Sequence, residues 1–461
     1  MAKIYVPDMY PTLEEACEKA PDGTIIMIRP GKYTLEKTIE ISRDLTLCSE
    51  TGRAEDVLID CPHSEVFKIT GGSPSFQNLT VGNTSEGNED LFLGFNIEGG
   101  TPRLFRCVIT AGIDITGKDT NPTVEKCIVK NCSKAGVAVS EEGRGEFRDC
   151  DIYGNNTTGV VVAESGNPTF IRCKFHDGKS LGVIICDEGN GEFRDCDIYG
   201  NKAPGISVAY LGNPIFIGCK IHDGKDAGLL ISEGGRGEFR DCEFYANEKS
   251  GIFIQDWGNP TVIGCKIHDG KEDGVFVHDK GRGDFRDCEI YANEGRGIAV
   301  IYSASPTFTG CKIHDGNHCG VFIASAGQGV FRDCEIYRNK EAGIAVLESA
   351  NPIVSGCRIY DGNQNGVYVF NEGRGHFQDC EIYGNKAPGI AVNEFGKPTV
   401  IGCKIHDGKE GGVYICEGGM GTFEKNVLND NYSNGEPDDW NIESNAGEVR
   451  GSENVPEIHE Q

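Results

Sequence analysis

Apolar and polar residues alternate in short runs along most of this chain, in stretches such as GVFV, GIAV and CKIHD. Runs this short are too brief for an amphipathic helix and suit half-buried strands. They recur at one interval. From Cys127 to Cys403 a cysteine stands every 23 residues, thirteen in all, each with an apolar residue two positions later. The fuller unit reads GEFRDCEFYANEKSGIFIQDW and then GNPTVIGCKIHDGKEDGVFVHDK from Gly237, a 46-residue double repeat that recurs six times. Cys242 and Phe244 share a face by the period of two, and the spacing of three between Phe239 and Cys242 predicts a bend. Three short strands per coil, with no room for a helical crossover, predict an all-β parallel solenoid of about 18 coils.

The ends depart from this rhythm. Residues Tyr10 to Ala20 predict a helix with Leu13, Ala16 and Cys17 on one face, ended by PDG at 21–23. Such a helix would cap the first coil, whose open edge would otherwise present unpaired backbone groups. Three regions follow: a cap with irregular coils over 1–106, regular coils over 107–426, and a cap with an acidic tail over 427–461. In the last, Trp440 is the expected anchor, and the composition predicts a frayed, mobile end.

Tyr10, Pro11 and Thr12 with Glu15 and Ala16, then Gly23, Thr24 and Ile25, then Pro30, Gly31, Lys32 and Tyr33, and the later NPTVIGCKIHDG with GVFV form a recognisable pattern. It resembles the right-handed parallel β-helix repeat family. That family includes pectate-lyase-like enzymes, NosD-like periplasmic proteins, carbohydrate-binding and sugar-hydrolase repeats, and substrate-recognising β-helices of F-box ubiquitin ligases. The resemblance covers nearly the whole chain and implies a right-handed coil. It leaves function open, because lyases, esterases, binding proteins and scaffolds share the fold. The calcium-binding acids with a nearby basic residue that pectate lyases require are not found on any one set of neighbouring coils.

The 461 residues carry a formal charge of −27, which argues against phosphate neutralisation on nucleic acid and against an anionic membrane. The opening MAKIYVPDMYPTLEEACEKA predicts no export signal. Of the 21 cysteines, thirteen share one strand position. Neighbours there would lie about 5 Å apart with parallel Cβ vectors, which predicts reduced core thiols and a cytoplasmic location.

Stacked coils make residues 23 apart into neighbours, so chemistry is sought in columns. After each cysteine the outward residue alternates in charge: Lys174, Asp197, Lys220, Glu243, Lys266, Glu289, Lys312, Glu335, Arg358, Glu381, Lys404. This ladder accounts for the doubled repeat. Two positions on runs a stripe of His176, Tyr199, His222, Tyr245, His268, Tyr291, His314 and Tyr337, which is either a platform for sugar rings or a self-stacked column. Histidines two coils apart with a tyrosine between predict no zinc site. Asp177, Asp223, Asp269, Asp315, Asp361 and Asp407 read as turn residues. Arg144, Arg236, Arg282 and Arg374 are expected to pair internally, with an acidic polymer as the alternative. Cys319 beside His318 is the candidate reactive thiol.

One turn varies freely along the repeat. It carries Tyr210, Leu211, Trp257, Tyr302 and Phe395 where other coils have Ser, Asp or Glu. Large exposed aromatics on such a turn suit a docking surface. The leading expectation is therefore a non-catalytic scaffold for a protein partner, monomeric and without cofactor or metal. The alternative is a β-helix that binds or cleaves polysaccharide along the Tyr/His stripe, as a lyase or glycoside hydrolase if it is an enzyme. A third reading is an acidic mimic of nucleic acid that occupies a basic protein.

Overall fold

The structure, a computed structural model, describes residues 2–82 and 92–458. The chain divides into two compact units, Met1–Asp226 and Ala227–Gln461. Each is a parallel β-solenoid in which every regular coil gives one three-residue strand to each of three sheets. In one coil these are Thr261–Ile263 on sheet A, Lys266–His268 on sheet B and Val275–Val277 on sheet C. With each unit taken by itself and the strands then summed, the three sheets number 20, 18 and 18 strands among the described residues, in keeping with the expected number of coils.

Register follows the repeat. Val262 pairs with Phe285, Ile267 with Ile290 and Phe276 with Ala299, each 23 residues on. The bend between sheets A and B is made by one left-handed residue, such as Asp287 at φ 53°, which turns the chain without a loop. Inward columns of Phe, Cys, Ile and Val are fully buried, and neighbouring phenylalanines stack, as Phe285 and Phe308 do at 4.5 Å. All 21 cysteines are free thiols. In the thirteen-membered column each Sγ sits against backbone, and some accept the preceding coil's amide, as Cys219 Sγ does from Cys196 N–H at 3.4 Å.

A second internal column escaped the sequence reading. Asn201, Asn293, Asn339, Asn385 and Asn431 are almost fully buried. Asn293 Oδ1 accepts from Gly270 N–H at 3.0 Å and its Nδ2 donates to the Ile267 carbonyl at 3.2 Å. Each asparagine thus satisfies a turn's backbone groups on the coil before it, where no water reaches.

The first helix is shorter than expected, Leu13–Lys19, with Thr12 as N-cap accepting from Glu15 N–H at 3.2 Å. Leu13, Ala16 and Cys17 are its buried face. The expectation of a mobile C-terminal tail does not hold for residues 427–458. Trp440–Ile442 pairs with Val413–Ile415, and Val449–Ser452 pairs with Gly421–Glu424. Trp440 meets the Phe423 ring edge-on at 5.5 Å and donates its indole N–H to the Pro456 carbonyl at 3.0 Å. Backbone pairing and one anchored indole hold a segment whose composition reads as disordered.

Candidate functional site

The Tyr/His stripe lies on the outward face of sheet B, and its rings face one another. In the first unit Tyr153, His176, Tyr199 and His222 stack at centroid distances of 4.6–5.3 Å. In the second, the run from Tyr245 through His268, Tyr291, His314 and Tyr337 stacks at 4.6–5.4 Å with planes within 10°. The histidines have both nitrogens engaged. His176 Nδ1 lies 2.8 Å from Asp177 Oδ2 and its Nε2 2.8 Å from Asp151 Oδ1, and His268 does the same with Asp269 and Glu243. Ring faces and ring nitrogens are both used, which leaves only edges toward solvent.

The HDG aspartates sit at left-handed turns with φ between 52° and 55°. Asp315 also receives a two-point bond from Arg338, Nε to Oδ1 at 2.8 Å and Nη2 to Oδ2 at 2.6 Å. That guanidinium holds the Asp315 carboxyl down to about 2.

The variable turn joins sheet C to sheet A. Tyr210 and Leu211 in the first unit, and Trp257, Tyr302 and Phe395 in the second, are 53–64% exposed and all have left-handed φ. Trp257 lies beneath Lys280 Nζ and the Arg282 guanidinium, 5.1 and 5.7 Å from its ring centroid. Arg282 thus meets an aromatic face of its own chain. Phe395 lies over Gly418, where a Cβ would come within 2.9 Å of the ring.

A second aromatic column runs along sheet C of the second unit. The middle residue of each three-residue strand points outward, and in successive coils it is Phe253, Phe276, Ala299, Phe322, Ala345, Tyr368, Ala391 and Tyr414, with Asn441 last. From Phe276 onward an aromatic ring alternates with alanine. Each ring is half-buried, whereas Ala299, Ala345 and Ala391 are buried at the floor. Aromatics thus stand two coils apart, about 9.6 Å; Phe276 stacks on Phe253 at 5.2 Å and Tyr368 on Phe370 at 4.3 Å, while the gap over Ala391 opens into a cavity.

Two cavities open along this trough. One of about 370 Å³ is lined by Phe276 with Lys271, Glu272, Asp273, Arg296 and His318. The Arg296 guanidinium lies 4.0 Å over the Phe322 ring, and its backbone N–H donates to Asp273 Oδ1 at 2.7 Å. Burial raises the Asp273 carboxyl above the usual range, against the pull of Arg296. The other cavity, about 740 Å³, is lined by Tyr368, Ala391, Asn393, Tyr414 and Asn441 together with Ser433, Asn434 and Gly435.

Cys319 is no reactive thiol. It is buried, its Sγ donates to Glu341 Oε2 at 3.3 Å, and burial beside that carboxylate pushes it up to about 12. His318 Nδ1 also faces Glu341, at 3.1 Å. Among the described residues no group of three or more His, Cys, Asp or Glu is placed to hold a metal ion, and no helix is long and apolar enough to cross a membrane.

The family described as the right handed beta helix region matches residues 75–209, 158–311 and 299–436. The chain belongs to that family, and its coil is right-handed. No curated protein matches it. Among solved structures it is similar to the catalytic unit of an α-1,3-glucanase from Streptomyces thermodiastaticus, at 13% identity and a TM-score of 0.44 over 62% of this chain and 61% of that one. It is also similar to a mannuronic-acid-specific polysaccharide family 6 lyase from human gut microbiota, at 11% identity, TM-score 0.45, 72% of this chain and 86% of that one. A third is the N-terminal fragment of gene product 12 of bacteriophage Phi29, at 8% identity, TM-score 0.47, 96% of this chain and 90% of that one.

Proposed function

We propose that the second unit holds an extended carbohydrate chain along its sheet C trough. The observation that carries this reading is the alternation of Phe276, Phe322, Tyr368 and Tyr414 with Ala299, Ala345 and Ala391 on one outward column. An aromatic face every two coils, about 9.6 Å, is commensurate with the disaccharide rise of an extended sugar polymer. An extended peptide presents same-face side chains about every 6.7 Å and would fall out of step after one contact. A pyranose also has what the trough offers partners for: an apolar face for the rings, and hydroxyls for the amides and charged side chains beside them.

Affinity electrophoresis through gels containing hydroxyethyl cellulose, glucomannan, laminarin or pectin tests the reading. The wild-type protein should be retarded in at least one gel, and a Phe322→Ala, Tyr368→Ala variant should run freely in it. Equal retardation of both proteins, or retention only on a proline-rich peptide resin, whose helical repeat of about 9.3 Å also matches the ring spacing, would overturn it.

A second reading, a protein partner, is favoured by Trp257, Tyr302 and Phe395 standing more than half exposed on turns whose other coils carry small or charged residues. Capture of one protein by the wild-type chain and not by a Trp257→Ser, Tyr302→Ser, Phe395→Ser variant would support it. The free thiols suit a reducing compartment for this role.

A further inference from the structure

We infer that the larger cavity, beside Tyr368 and Tyr414, is the principal sugar subsite of the trough, and that it takes a neutral pyranose bearing hydroxyl or acetamido groups in preference to a uronate. The inference rests on the trough reading above and assigns it a place and a ligand class.

Three observations point there. The first is a break in the repeat. The turn from sheet B to sheet C spans six residues in a regular coil, as between Tyr291 and Ile298, but ten between Asn429 and Trp440. The added length forms a hairpin, with Tyr432–Ser433 antiparallel to Glu436–Pro437. Asn434 at φ 51° and Gly435 at φ 88° make its tip, the two left-handed positions that a two-residue hairpin turn needs. Gly411 N–H to the Tyr432 carbonyl and Tyr432 N–H to the Gly408 carbonyl, both 3.0 Å, fasten its base to the neighbouring turn. Capping the core does not call for this excursion, because Trp440–Ile442 already pairs with the preceding strand. What the hairpin adds is a wall, with Ser433, Asn434 and Gly435 all lining the cavity.

The second observation is composition. Two tyrosine rings flank the slot over Ala391, and the remaining polar lining is dominated by amides, with one lysine, Lys409, beside one glutamate, Glu410. A carboxylated sugar would find no net positive charge there, whereas amides match hydroxyl and acetamido groups as both donors and acceptors.

The third is an unmet acceptor. Asn393 Nδ2 donates to Tyr368 Oη at 3.1 Å, and its Oδ1 is buried with no partner. Buried polar groups are nearly always paired. Asn393 lines the cavity, and a small turn of its side chain would offer this oxygen to a ligand O–H or N–H.

The test is calorimetric titration of the full chain with cellohexaose, chitohexaose and hexagalacturonate. Four proteins are compared: wild type, Asn393→Leu, a variant lacking residues 433–436, and Phe322→Ala. Circular dichroism verifies folding, and Asn393→Gln serves as the conservative control. Binding of a neutral hexaose, weakened at least tenfold by both Asn393→Leu and the hairpin deletion and largely kept by Asn393→Gln, is the expected result. If Phe322→Ala weakens a neutral hexaose while Asn393→Leu and the deletion do not, the subsite is overturned and the trough stands. Tighter binding of hexagalacturonate overturns the ligand class. If no hexaose and no polymer binds the wild-type chain, the trough reading itself falls.

Discussion

The outward faces of sheets B and C in the second unit carry aromatic columns of similar length and opposite character. On sheet B a ring occupies every coil from Tyr245 to His406, so each ring's two faces meet its neighbours at about the strand spacing. On sheet C, from Phe276 onward, alanine occupies every second coil, so rings do not stack from coil to coil, although Arg296 covers Phe322 and Phe370 covers Tyr368. The number of rings does not decide which column can bind. The gaps do, because an aromatic face already stacked at its optimal distance has nothing left to give a ligand.

The comparison can be broken most severely by removing rings from sheet C. Two stacking contacts of about 1 kcal/mol each predict that Phe322→Ala with Tyr368→Ala weakens polymer binding about 30-fold, measured by affinity electrophoresis. Filling a gap should do nearly as much. Ala391→Phe fills the gap between Tyr368 and Tyr414 in the manner of sheet B, and polymer affinity should fall about tenfold with the melting temperature unchanged or higher. A loss of stability instead would mean that the added ring cannot be accommodated between Tyr368 and Tyr414, over the buried Ala391.

The converse change sharpens the contrast. Tyr291→Ser on sheet B should leave binding unchanged and cost about 1–2 kcal/mol of stability, read by denaturant unfolding, because that ring serves His268 and His314. The smallest effect is at Arg338. The Asp315 carboxyl is held down to about 2, chiefly by that guanidinium, so the pair's contribution is present above the ordinary aspartate range. It is lost as pH falls through about 2. Arg338→Ala should lower the melting temperature slightly at pH 7, by the worth of an exposed pair and no more than about 1 kcal/mol, and the difference from wild type should vanish below pH 2.

Coil length, strand placement, the thiol column and the turn aspartates were all legible in the sequence, because in a solenoid each obeys the same 23-residue interval. The trough was not. An apolar residue in the middle of GVFV reads as core, yet in a three-residue strand the flanking Val275 and Val277 point inward and Phe276 outward. The available signal was the regular exchange of Phe or Tyr with Ala at that position, a 46-residue period like that of the charge ladder. The buried asparagines were hidden for a related reason. Asn293 and Asn339 follow tyrosine within turns, where asparagine is ordinary, and only coordinates show that they bond inward. The hairpin at Asn434-Gly435 was in plain sight as a turn signal but sat in a segment whose acidity argued for disorder.

The doubled repeat sets how such a molecule can change size. Deleting one 23-residue coil would set like charges side by side on sheet B, and ring beside ring or alanine beside alanine on sheet C. Deleting two preserves every neighbour relation. Growth and loss by pairs would add or remove one aromatic and one alanine at a time, so the length of polymer that the proposed trough could grip would change in whole steps, like the divisions of a ruler whose graduations are written in the protein's own period.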